Sequence, residues 1–327
     1  MNDISPIDPF LKEQGVLILD GGLATELENH GHDLDHRLWS ARLLISSAGE
    51  IQAVHRSYLE AGADCIISAS YQASVDGFIS EGLSLKEAEF LIKKTVTIAC
   101  EARNDFLNTN NDNKSRIKPI IAASIGPYGA FLANGSEYAG YSGISPKILK
   151  NYHQSRWEIL AQTPADLFAC ESIPSILEAE VLQHLLDDSP DIRAWISFTC
   201  RDGSHISDGT PIEECVAIYE DNPQVVAVGV NCTAPKYILS LVQKISRRIP
   251  SKNIIVYPNS GEIYDLAHKS WHSGSTNLDF SEQSLEWFKA GARLIGGCCR
   301  TGPEQIRALR KILLKNAQIY TTYHRQG

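Results

Sequence analysis

Residues 290–301 read Ala-Gly-Ala-Arg-Leu-Ile-Gly-Gly-Cys-Cys-Arg-Thr. Ala-Gly-Ala ahead of a short apolar run marks a helix that ends on glycine and turns tightly into a strand. That strand, 292–296, then delivers two glycines and two adjacent thiols. The same order recurs at 61–68, Ala-Gly-Ala-Asp-Cys-Ile-Ile-Ser, which predicts a strand over 64–68. Six more apolar, β-branched runs continue the theme, at 16–20, 119–124, 166–170, 194–199, 225–230 and 253–257. Each is nearly continuous in apolar residues, the signature of parallel strands covered on both faces. Helical periodicity separates them, at 50–61, 85–107, 175–186 and 235–249. No Pro/Gly/Ser linker divides the chain. Eight strands alternating with helices predict an α/β fold, a (β/α)8 TIM barrel, as a single domain over 1–327 with its core at about 16–309. A doubly wound open sheet is the alternative arrangement. A long loop, 259–281, follows the seventh strand.

Lys and Arg number 30 against 39 Asp and Glu, a formal charge of −9. That argues against a nucleic-acid or anionic-membrane partner, which demands a basic surface. The opening Met-Asn-Asp-Ile-Ser-Pro has neither the basic nor the apolar region of a signal peptide, and no apolar run reaches the ~18 residues of a membrane span. The expected location is cytoplasmic, where thiols stay reduced. Eight cysteines in 327 residues are too dilute for a disulfide scaffold, so each is read as packing, catalytic or metal-ligating.

Barrel enzymes carry their chemistry at the C-terminal ends of the strands. Here those ends supply Asp20-Gly21-Gly22, Tyr71, Tyr128, Glu171, Cys232, Asn259 and Cys298-Cys299. Cys232 ends the sixth strand and Cys298-Cys299 the eighth, two strand spacings or roughly 10 Å apart. The freedom of Gly296 and Gly297 would let both following thiols aim inward. Three thiolates with one open position suit a catalytic zinc ion. Cysteines packing as small hydrophobes, or a disulfide between the adjacent pair, fit the same spacing. The remaining five cysteines read as core. Asp20 and Glu171 read equally as a pair for an ammonium, metal or proton, or as a helix cap and an ion pair. Bare N–H groups at Gly21 and Gly22, ahead of a helical stretch, suit a carboxylate or phosphate. GxGxxG and GxSxG are absent, and no Lys ends a strand as a Schiff-base lysine would. His30, His32 and His36 read as a surface loop, and His268 and His272 lack a metalloprotease Glu.

The segments LILDGGLATELE, ASYQAS, SIGPYGAFLANGSEYAGY, ACESIP, SDGTP, GVNC, VYPNSGEIYD and LIGGCCRT together resemble the homocysteine S-methyltransferase family. They are most similar to members that use S-methylmethionine or S-adenosylmethionine. The resemblance runs in order from about Val16 to Leu309; Thr163-Pro164 departs from the usual Ala-Gly before the fourth strand. It implies a (β/α)8 barrel that transfers a methyl group from a sulfonium donor to the zinc-bound thiolate of L-homocysteine, giving methionine. It also implies one Zn2+ per chain on Cys232, Cys298 and Cys299. Asp20 and Glu171 would take the homocysteine ammonium, the backbone at Gly21 and Gly22 its carboxylate, and Asn259 would offer an oxygen to zinc. Position on the loops adds Trp39, Tyr71, Tyr128 and Tyr138 as aromatic faces for the sulfonium, with Glu137 for the donor's ammonium. The length leaves no room for an added cobalamin- or folate-binding domain. The competing readings are a zinc-binding thiol sensor without turnover, a related barrel methyltransferase using betaine or another small thiol, and a phosphate-binding barrel at Gly296-Gly297.

Overall fold

A computed structural model of the chain describes residues 5–34, 38–109, 116–141, 143–261, 263–265, 270–272 and 279–324. The strands are β1 (Leu17–Ile18), β2 (Cys65–Ile67), β3 (Ile120–Ile125), β4 (Leu167–Ile173), β5 (Ala194–Phe198), β6 (Val225–Asn231), β7 (Asn253–Tyr257), β8 (Ile263–Asp265), β9 (Ser270–His272) and β10 (Ala292–Ile295). Strands β8 and β9 form a small antiparallel hairpin inside the long loop. The other eight are parallel, in the order β1-β10-β7-β6-β5-β4-β3-β2. A parallel bridge from Leu19 to Cys65 joins the two ends and closes the barrel. This is the (β/α)8 arrangement, and the open sheet is excluded.

Alternate residues of each strand face opposite layers, which explains the unbroken apolar runs. Leu17, Cys65, Ala122, Leu167 and Trp195 fill the barrel interior with Ile7 and Phe10, which belong to the N-terminal segment and its helix Asp8–Gln14. Ile18, Ile66, Ile121, Phe168 and Ile196 face the surrounding helices. The helices Ala48–Ala61, Leu85–Thr109, Ile176–Asp187 and Pro235–Arg248 stand within two residues of their sequence expectations. Both Ala-Gly-Ala ends turn through left-handed glycine, at Gly62 (φ +108°) and Gly291 (φ +121°). Among the described residues no helix is long and apolar enough to cross a membrane.

Candidate active site

The C-terminal ends of the strands enclose a cavity of about 850 Å3. Cys232, Cys298 and Cys299 line it, and their sulfurs lie within 4.8 Å of one another. Cys299 Sγ is 3.6 Å from Cys232 Sγ and 4.0 Å from Cys298 Sγ. Tetrahedral zinc with bonds of about 2.3 Å sets sulfurs about 3.8 Å apart, so the cluster has the dimensions to hold such an ion. Among the described residues it is the one group with that geometry.

The backbone reaches this arrangement differently from the sequence expectation. Gly296 and Gly297 do not use left-handed freedom. A Cβ on Gly297 would come 2.1 Å from Thr301 Oγ1, so the glycine is there for close approach. Cys232 itself is left-handed, at φ +48°, and so is Arg300 after the thiol pair, at φ +64°. Such a conformation costs a non-glycine residue about 1–3 kcal/mol and persists where the surroundings enforce it. Cys232 N–H donates to Tyr257 O at 3.2 Å. The preceding Asn231, fully buried, accepts Ser172 N–H at 2.8 Å and donates to Ser172 Oγ at 2.8 Å. Ser172 is left-handed too, at φ +59°, where the β4–β5 register shifts. One buried amide thus ties the Cys232 turn to the bulge beside Glu171. The thiol pair is fixed by Cys298 N–H to Pro258 O (2.8 Å) and Ser260 N–H to Cys299 O (3.1 Å).

Asp20 is 3% exposed and lines the cavity. Its Oδ2 accepts Ile67 N–H at 2.8 Å, while Oδ1 has no hydrogen-bond partner among the described residues. Burial pushes this carboxyl well up, and the nearby charge of Glu171 adds to the effect. Asp20 is not a helix cap: the helix Leu23–Asn29 starts from Gly22. Glu171 is held by hydroxyls rather than by an ion pair. Ser124 Oγ donates to Oε1, and the Tyr257 hydroxyl also binds the carboxylate. Burial raises it to about 7 against the pull of those two hydroxyls.

Gly21, Gly22, Tyr71 and Glu137 also line the cavity. A Cβ on Gly22 would meet Cys298 O at 2.7 Å, so only glycine lets the first loop lie against the thiol loop. Glu137 is raised chiefly by burial, and its Oε2 is a buried atom without a partner among the described residues. Tyr128 and Asn259 are not among the lining residues. The Tyr128 ring packs edge-on to Tyr152 at 5.1 Å and Tyr141 at 6.1 Å. Asn259 is buried beside the thiol loop, its Oδ1 unpartnered among the described residues. The side chains of Trp39 and His272, and all of His36 and His268, lie outside what is described, as does most of the loop after β7.

Three features escaped sequence reasoning. The Tyr138 hydroxyl lies 3.5 Å from Cys232 Sγ, a contact set by folding of the loop rather than by spacing. His32, expected on a surface loop, lines the cavity with Glu28 and Asp33 and lies 3.7 Å from Glu50. Tyr257 lines the cavity and receives the Trp195 indole N–H at 3.1 Å; its place at a strand end was the available signal. Five carboxylates line the cavity, and among the described lining residues there is no Lys or Arg.

A sequence model of the family described as homocysteine S-methyltransferase matches residues 17–313. The chain belongs to the homocysteine S-methyltransferase family. It is an enzyme of the methyltransferase class. It is 46% identical to homocysteine S-methyltransferase YbgG of Bacillus subtilis (strain 168), over 94% of this chain and 97% of that one. It is 47% identical to a selenocysteine Se-methyltransferase of Brassica oleracea var. italica, over 96% and 93%. The metallated form of the homocysteine methyltransferase MmuM from Escherichia coli superposes with a TM-score of 0.84 at 41% identity, covering 94% of this chain and 99% of that one.

Proposed function

We propose that the chain moves a methyl group from S-methylmethionine, or from S-adenosylmethionine, to the sulfur of L-homocysteine, giving methionine, with one zinc ion on Cys232, Cys298 and Cys299. The observation that carries this is the three-thiol cluster in the wall of an acidic cavity. The relatives' names, and the metallated form of one of them, support it. A zinc ion held there supplies the Lewis acidity that keeps a substrate thiol deprotonated at neutral pH.

Asp20 Oδ1 and Glu171 accept the homocysteine ammonium, and the backbone at Gly21 and Gly22 faces its carboxylate. Asn259 Oδ1, unpartnered among the described residues and next to the Ser260 N–H that bonds Cys299 O, serves the metal side. Tyr71 and Tyr138 present aromatic faces, and Glu137 a carboxylate, to the cationic donor. Tyr128 supports that wall from behind. The homocysteine sulfur uses a lone pair to form the new S–CH3 bond, and the pair of the breaking bond stays on the donor sulfur. Charge is annihilated in that step, so a cavity that sheds water favours the transition state over the separated ions. With S-methylmethionine both products are methionine. A reduced compartment such as the cytoplasm keeps the thiols available. Partners are small molecules, without nucleic acid or membrane. A thiol sensor would have no use for the buried open oxygens of Asp20 and Glu137.

The test is methionine formation from homocysteine by zinc-loaded protein, with S-methylmethionine, S-adenosylmethionine and betaine offered in parallel. Turnover with a sulfonium donor is expected. Turnover with betaine alone, or none from protein shown to hold zinc, would overturn the reading.

A further inference from the structure

Behind the cavity wall lies an ionic group that the proposed chemistry does not use. Glu178, His153 and Arg156 are each fully buried, and none lines the cavity. Arg156 donates to Tyr71 O at 3.2 Å, to Gly126 O, and to His153 Nδ1 at 3.2 Å. A guanidinium only donates. His153 Nδ1 must therefore accept, which puts the imidazole proton on Nε2, facing Glu178 Oε1 at 2.7 Å. Burial and the charge of Arg156 both hold His153 well below its ordinary pKa, in keeping with a neutral ring. Glu178 Oε1 also accepts Tyr128 N–H at 2.7 Å, and Oε2 accepts the Tyr141 hydroxyl. Every partner of this carboxylate is a donor. The result is a relay from cation through neutral imidazole to a carboxyl that burial pushes up to about 8 against the pull of its donors, closed to water.

What the relay touches at its ends is one wall of the cavity. Tyr71 and Gly126 follow β2 and β3. Tyr141 ends the stretch that carries Glu137 and Tyr138. That stretch has little regular structure of its own: one four-residue turn of helix, Ser136–Ala139, between left-handed Ala133, Gly135 and Gly140. It is also fastened through Glu137 O, which accepts Thr199 Oγ1 at 2.9 Å and Ser207 Oγ at 3.5 Å, and through the Tyr138 hydroxyl, 3.5 Å from Cys232 Sγ. The thiol loop, by contrast, is tied to β7 and the first loop by its own backbone bonds.

Resting on the function proposed above, we infer that Glu178 and Tyr141 are positioning residues for the methyl donor. They fasten the Glu137–Tyr138 wall from behind, and neither touches a thiol of the cluster or the carboxylates of Asp20 and Glu171. Tyr141→Phe removes one hydroxyl and little else. It is expected to raise KM for the sulfonium donor about tenfold, with KM for homocysteine within about twofold and zinc still one per chain. Glu178→Gln keeps the shape but sets an amide N–H against a donor, and a larger rise in donor KM is expected. If that variant fails to fold, Tyr141→Phe decides alone. An unchanged donor KM in Tyr141→Phe overturns the inference, and so do both KM values rising together or zinc being lost, which mark general loosening. Wild-type protein without turnover on homocysteine would instead defeat the function itself, so the two failures are told apart.

Discussion

The strands β1 and β2 meet at two carboxylates, one at each end of the barrel. At the bottom, Asp64 Oδ2 accepts Ile18 N–H of β1 at 3.1 Å. At the top, Asp20 Oδ2 accepts Ile67 N–H of β2 at 2.8 Å. Both residues are almost wholly buried. The difference is the second oxygen. Asp64 Oδ1 receives Arg116 at 3.0 Å and Arg310 at 2.8 Å, and Gln14 adds a 2.5 Å bond to Oδ2. Asp20 Oδ1 receives nothing among the described residues. Asp166 is likewise paired with a guanidinium, its Oδ2 accepting both Arg103 at 2.9 Å and Ile121 N–H at 2.8 Å. Glu137 repeats the top pattern, with Oε2 open. A buried polar atom left unpaired costs about 1–3 kcal/mol. The lower end pairs its carboxylates with guanidiniums of the chain, although Arg103 Nε and Arg116 Nε stay unpartnered among the described residues. The upper end keeps its carboxylates open to the cavity, at a cost in stability, as the proposed binding of a substrate cation requires.

The sharpest break of this comparison is at the thiols. Cys298→Ala removes one of three ligands and should lower kcat/KM by about a thousandfold or more, roughly 4 kcal/mol in the barrier. Metal analysis should show the zinc lost with the activity. Urea unfolding of metal-free protein should change by only about 1 kcal/mol, since Cys298 is half-buried and holds no strand of the barrel. Full activity in this variant would sink the metal site.

The two aspartates offer the next test, by the same substitution at each. Asp20→Asn keeps an acceptor for Ile67 N–H and removes only charge. Homocysteine KM should rise about thirtyfold or more, the size of a lost charge-assisted bond. Stability should hold or increase, because a buried carboxyl that must either stay charged or take up a proton is gone. Asp64→Asn should do the reverse: an unchanged KM and a loss of about 2–3 kcal/mol in urea unfolding, as two guanidiniums lose their counter-charge. Equal effects of the two variants on KM would erase the distinction between the ends.

The barrel was legible because eight apolar runs, each buried on both faces, admit few other arrangements. The thiol cluster was half legible. Cys232 and Cys298-Cys299 lie 66 residues apart and share no local motif, so strand order had to bring them together. The backbone that aims them was not legible. Glycines expected to turn freely serve close approach at Gly297, and the left-handed residues are Cys232 and Arg300, whose types give no sign of it. Tyr128 was read from its place on a loop, yet the bond from its N–H to Glu178 sets its ring among Tyr141 and Tyr152. The Glu178 relay joins residues of two neighbouring helices, and neither helix alone announces it. Buried ions of this kind are fixed by tertiary contact, which periodicity does not encode.

The smallest effect concerns Glu171, which stands between the two patterns: two hydroxyls hold it, and among the described residues no cation is bonded to it. Its folded value of about 7 lies above the ordinary 4.5. The folded state therefore binds more protons than the unfolded one between those values. The resulting stability is full below about pH 4.5 and is lost as pH rises through 7. Binding an ammonium needs the opposite, an ionised carboxylate. So kcat/KM for homocysteine should climb about tenfold per unit as pH rises toward 7 and then level, while metal-free protein loses stability over the same range. Glu171→Gln should flatten the activity limb and lessen the stability slope, which does not vanish because burial also raises Glu178 to about 8 and pushes Asp20 and Glu137 up. If the activity limb survives in that variant, the titrating group is another one, and Asp20, whose carboxyl is also pushed up by burial, becomes the next to replace. If the activity limb vanishes and the stability slope lessens together, one side chain trades folding against substrate, which is the property that separates the upper end of this barrel from Asp64 below it.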